Sequence, residues 1–147
     1  MEAQAKLERL DELYGQVAGK LQELERSQDP SARGVSGTWS VKDVYAHIGR
    51  WDQQSRDELE AHVGGTQAQE EPPYRVLNAR WLAEDEELSL EEARGRFRDA
   101  FRRYRSFLGS LAADQWDDTV HEWIDTTIEH YEDHVRAPLE FEVAPGG

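Results

Sequence analysis

Leu7, Leu10, Tyr14, Val17, Leu21 and Leu24 recur at steps of three and four with charged residues between them. That spacing predicts one amphipathic helix of about six turns. Gly15 and Gly19 weaken the helix slightly without breaking the stripe. Asp29-Pro30-Ser31 closes it, because the residue before a proline is pushed out of the helical region. The stretch on to Thr38, with Gly34 and Gly37, reads as a loop. Ser40 then caps a second helix, with Asp43 in the place of a capping-box acid. Its apolar face carries Val41, Val44, Ile48, Trp51 and Leu59, and Gly64-Gly65 ends it. His47 lies one residue from Ile48 and three from Val44, on or beside the inward face.

Gly64 to Tyr74 is the longest irregular stretch, long enough for a crossover or for a flap over one end of a bundle. Val76, Leu77, Trp81 and Leu82 predict a short helical turn that packs its rings back on the core. Ser89, followed three residues later by Glu92, opens the next long helix. One side of that helix carries Leu90, Ala93, Phe97, Phe101, Tyr104, Leu108 and Leu111. Its other face holds Arg94, Arg96, Arg98, Arg102, Arg103 and Arg105. Asp114 to Asp118 interrupts the pattern. The last helix is expected from Trp123 to Leu139, capped by Asp125 or Thr126 and limited by Pro138. Ile128, Tyr131, Val135 and Leu139 form its stripe, and the tail from Glu142 to Gly147 is expected to fray. The whole, 1–147, reads as a single all-α domain: a four-helix bundle with a short extra helical turn in the crossover between the second and third long helices.

Composition narrows the function. Acidic residues number 31 against 17 basic, a formal charge of −14, and such a field repels phosphate backbones, so no nucleic acid partner is expected. There is no cysteine, which rules out disulfides and a thiol nucleophile belonging to the protein. No apolar run is long enough to span a membrane and the N-terminus is charged from Glu2 onward. The expectation is a soluble cytoplasmic protein with no membrane partner.

The chemistry gathers in His130-Tyr131-Glu132-Asp133-His134. Histidines four apart on a helix share one face, about 5–6 Å between Cβ atoms, close enough for both rings to reach one ion. A third ligand must come from another helix, and His47 is placed to supply it. Three imidazoles leave a coordination position open, as in catalytic sites. A nitrogen-only set suits Zn, Ni, Cu or Fe, with Zn or Ni the first choices as divalent metal. The plain alternative is that each histidine is hydrogen-bonded to a neighbouring acid. Glu129, Asp133 and Asp43 are near enough in sequence to be those partners or to orient metal ligands. His121-Glu122 begins like a zinc-protease motif, but its fifth position is Asp125. His62 suits a helix C-terminus. The arginine face either pairs with the many acids or meets an anion.

The run Gly37-Thr38-Trp39-Ser40-Val41-Lys42-Asp43-Val44-Tyr45-Ala46-His47-Ile48-Gly49-Arg50-Trp51 resembles the start of the second helix in the DinB-like, YfiT-like metalloenzyme superfamily. Its flavour is closest to the ClbS/DfsB branch. The resemblance implies an up-up-down-down four-helix bundle, often a homodimer. It also implies a metal triad at His47, His130 and His134. Similar proteins are metal-dependent hydrolases or thiol-dependent transferases and isomerases using mycothiol or bacillithiol. The resemblance therefore implies a small-molecule substrate, with a low-molecular-weight thiol as a possible cosubstrate. Glu129, Asp133 or Tyr45 is the expected proton carrier, by spacing alone. The alternative is a non-catalytic protein of the ClbS/DfsB type that binds a small molecule or protects against a toxin.

Overall fold

A computed structural model describes residues 2–33, 39–66 and 71–140. The expected loop around Gly34 and Gly37, the middle of the Gln/Glu crossover, the first two residues of the quoted signature and the tail after Glu140 lie outside those residues. The helices are α1 (Glu2–Ser27), α2 (Val41–Val63), α3 (Tyr74–Glu84), α4 (Leu90–Ser110) and α5 (Asp118–Arg136), with a 3-10 turn at Ala113–Gln115. No strand occurs among the described residues.

Side chains fix the directions. Lys6 meets Asp125 at 2.8 Å and Lys20 Nζ donates to Val135 O at 2.8 Å, so α1 and α5 run side by side in one direction. Tyr45 packs on Phe97, while Gln53 and Arg56 share a cleft with Ala100 and Arg103 further along, so α2 and α4 also run together. His62 lies 2.8 Å from Asp117 and His47 beside His130, which sets α2 against α5. Two helices therefore point each way, and in chain order the four long helices run up-down-down-up rather than in the expected up-up-down-down order. The chain reverses between α1 and α2 and again between α4 and α5, and α3 belongs to the crossover that lets α4 follow α2.

Both expected capping boxes are present. Ser40 Oγ accepts from Asp43 N and Asp43 Oδ2 from Ser40 N, and Ser89 and Glu92 make the same reciprocal pair. The stripes close on one core that includes Leu10, Leu13, Leu21, Val44, Ile48, Phe97, Tyr104, Leu108, Ile124 and Tyr131. At Gly49, α2 meets α4 directly. A Cβ there would stand 2.8 Å from Arg96 Cγ and 3.2 Å from backbone atoms of Arg96 and Phe97. Gly65, at φ 78°, takes the chain out of α2 in a conformation that L side chains resist.

Two elements differ from the sequence reading. The extra turn is a full helix of 11 residues, α3, which turns only one face inward. Leu77 and Trp81 join Trp51 in a small separate core, whereas Val76 is 46% exposed. The last helix begins at Asp118 and ends at Arg136 rather than running from Trp123 to Leu139. Its cap is Asp117, whose Oδ1 accepts from Val120 N at 3.0 Å, not Asp125 or Thr126. Asp, Thr and Val are poor helix formers, which hides a start that the side-chain cap decides.

Candidate metal centre

The capping box fixes where α2 begins, and seven residues beyond its cap His47 is turned into the interior at 6% exposure. On α5, His130 and His134 are 1% and 0% exposed. The three rings converge: His47 Nε2 lies 3.0 Å from His130 Nε2, and His134 Nε2 lies 3.1 Å from the same atom. One ligand nitrogen from each falls within 4.8 Å of the others. Nitrogens bonded to a common ion at zinc-like lengths lie roughly 2.9 Å apart at a right angle and roughly 3.3 Å apart at the tetrahedral angle. The 3.0 and 3.1 Å spacings fall in that range, so the three rings could hold one ion.

Proton positions point the same way. His134 Nδ1 is 3.1 Å from the Pro138 carbonyl, an oxygen that can only accept, so Nδ1 carries the hydrogen. With Nδ1 as the donor, Nε2 is the acceptor of a neutral ring, and it faces His130 Nε2. Three buried imidazoles, each with a ring nitrogen turned to the others, are a donor set that could hold one metal ion. The group that orients His134 is a backbone carbonyl, not one of the acids considered for the task.

The other expected site residues lie elsewhere. Tyr45 is two residues, about 200° of helix, from His47, and its hydroxyl donates to Glu25. Burial first, then Glu25, pushes that phenol well above its ordinary range. Glu129 is exposed, and with Asp133 it lines an outer groove beside Arg9. Asp133 pairs with Arg136. Asp43 takes Arg33 Nε at 2.8 Å in addition to its cap. None of these four carboxyl or phenol groups is brought to the histidines. His62 pairs with Asp117, and His121 Nδ1 sits 2.9 Å from Lys6 Nζ. Much of the arginine face is paired with acids: Arg94 with Glu25, Arg96 with Asp85, Arg105 with Asp11.

A second buried polar group lies a turn further into the bundle. Tyr131 OH donates to Asp52 Oδ2 at 2.5 Å, and Tyr104 OH and Thr127 Oγ1 are 2.9 Å apart nearby. Burial pushes the Asp52 carboxyl up to about 7, against a smaller downward pull from the Tyr131 hydrogen bond. Sequence reasoning passed over Asp52, yet it occupies the apolar series Val44, Ile48, Asp52, Ser55, Leu59 at steps of three and four. An acid on such a stripe is the signal that could have found it.

On the α3 side the bundle is hollow next to His47. A cavity of 10 Å³ is walled by Trp39, His47, Asn78 and Trp81. Trp39, Asn78 and Leu82 are also walls of a larger pocket of 280 Å³, with Arg33 and Arg75 on its lining.

The sequence profile of the family described as mycothiol maleylpyruvate isomerase N-terminal domain matches residues 10–139. No curated protein and no solved structure matches the chain.

Proposed function

Because the chain belongs to the mycothiol maleylpyruvate isomerase N-terminal domain family, we propose that it is a metal-dependent enzyme whose ion, Zn or Ni, is held by His47, His130 and His134. The cosubstrate in this reading is a low-molecular-weight thiol of the mycothiol kind, and the reaction is a transfer to, or isomerisation of, a small electrophile. Hydrolysis of an activated substrate is the related reaction, with water in place of the thiol. The observation that carries the proposal is the convergence of three buried Nε2 atoms, with the His134 tautomer set by Pro138 O.

When bound, a divalent ion supplies Lewis-acid chemistry that favours the anionic form of an incoming thiol or water. The protein contributes the rest. Its three imidazoles leave room for an exogenous group, and the thiol must arrive from outside because the chain has no cysteine. Trp39, edge-on to His47 with ring centroids 4.3 Å apart, walls the approach and limits water there.

The test is elemental analysis of untagged protein, followed by turnover of a thiol–electrophile pair and of an activated ester. About one ion per chain, lost in His134→Ala, is expected. Turnover abolished by a chelator and restored by metal identifies an enzyme. If the triple-histidine variant keeps full affinity for a small-molecule ligand and no turnover is found, the protein is instead a binder of the ClbS/DfsB kind.

A further inference from the structure

Asn78 sits on the inner face of α3, 5% exposed, between the histidine cavity and the larger pocket. Its carboxamide orientation is dictated by Trp51. The indole Nε1–H is a donor only, and it lies 2.7 Å from Asn78 Oδ1, so the oxygen must face Trp51. Trp51 is itself fixed, packed edge-on against Trp81 with centroids 4.9 Å apart. The NH₂ end is therefore committed to the other side, where Nδ2 is buried and has no hydrogen-bond acceptor. A buried donor left without a partner is costly, and such a group beside a cavity marks a place where an acceptor is meant to arrive.

The surroundings define that acceptor. On the cavity side Asn78 shares walls with Trp39, His47 and Trp81, and on the pocket side with Ala79, Leu82 and Ala83. Flat rings and small aliphatic groups flank the amide, and Arg33, Arg75 and Glu86 add charge of both signs to the pocket lining, so the buried Asn78 amide is a placed polar contact that fixes orientation. At 280 Å³ the pocket falls just below the range of drug-sized sites, which suits a metabolite of modest size.

We infer that the pocket between Trp39 and α3 binds a small molecule carrying a carbonyl or carboxylate oxygen, and that Asn78 Nδ2 donates to that oxygen and so positions the molecule beside His47. The inference rests on the proposed site for its purpose, but Asn78 and its pocket do not need a metal to be tested.

The measurement is a titration of the Asn78 side-chain NH₂ resonances in ¹⁵N-labelled metal-free protein. The pair is assigned by its loss in Asn78→Asp, which keeps an oxygen for Trp51 and removes the amide donors. Acetate and acetamide, at ionic strength matched with chloride, separate a carboxylate from a neutral carbonyl. A saturable shift of the NH₂ pair with either probe, and about tenfold weaker binding in Asn78→Ala with the fold retained by circular dichroism, is expected. A shift with acetate alone assigns a carboxylate, and a shift with acetamide assigns a carbonyl. No saturable shift with either probe, or cross-peaks to an ordered water that neither probe displaces, overturns the inference. So does unchanged probe affinity in Asn78→Ala. Failure of the protein to bind metal would sink the proposed enzyme while leaving this result standing, and the converse also holds.

Discussion

Two buried polar groups share the interior of this bundle, and they are built on opposite logic. Asp52 and Tyr131 form a closed pair, in which a hydroxyl donor meets a carboxyl acceptor at 2.5 Å and nothing further is required. His47, His130 and His134 bring like to like, with His130 Nε2 about 3 Å from the Nε2 atoms of both His47 and His134 and the His134 tautomer fixed. Both clusters desolvate polar atoms, and both lie on the same two helices. What separates them is whether the members complete one another. Burial of polarity alone does not mark a candidate site; like ring nitrogens converging where they could hold one ion do.

The sharpest way to break the contrast is to remove one member from each cluster. Tyr131→Phe leaves the Asp52 carboxyl without its donor. We expect a loss of about 3 kcal/mol in urea denaturation at pH 8, with metal stoichiometry unchanged. His134→Ala should do the reverse to ligand binding. Metal affinity should fall by at least ~100-fold, about 2.7 kcal/mol, and the rise in melting temperature expected of the wild type on adding Zn should be absent.

A smaller effect tests the closed pair through pH. Asp52 titrates at about 7 in the folded protein against an ordinary 3.8. Between those values the unfolded chain has released its proton while the folded chain retains it, so the unfolded state binds fewer protons. Stability from this group is full below about pH 4, falls as pH rises, and is lost above about 7. Asp52→Asn should flatten that decline by a few kcal/mol in denaturation curves collected from pH 4 to 8. An identical slope in the variant would place the pH dependence elsewhere. Smallest is the effect of Gly49→Ala, which stands between the clusters in sequence. The added methyl meets Arg96 Cγ and the α4 backbone, so we expect about 1–3 kcal/mol of destabilisation with metal affinity within about threefold.

How much of this was legible follows from the same contrast. The bundle was readable because Leu7 to Leu24, Val41 to Leu59 and Leu90 to Leu108 keep a helical period, and because Ser40/Asp43 and Ser89/Glu92 announce their helices. The histidines were readable as a pair at one helical step plus a third on an inward stripe. Tyr45, Glu129 and Asp133 are near the histidines along the chain, but one step on a helix turns a side chain by about 100° and two steps by about 200°. Each therefore faces other partners: Glu25, solvent and Arg136. Asn78 was out of reach for a different reason. Its significance depends on which end of the amide Trp51 claims, and that contact spans 27 residues.

The turn after α5 joins two things. Pro138 O fixes the ring of His134, and the next carbonyl, Leu139 O, accepts from Trp39 N at 2.8 Å, just ahead of the helix that carries His47. This two-residue buckle fastens together the ends of the segments from which the ligands come. A truncation or domain graft made on the N-terminal side of Pro138 would keep every histidine and still undo their alignment, so any junction with another polypeptide belongs beyond Leu139.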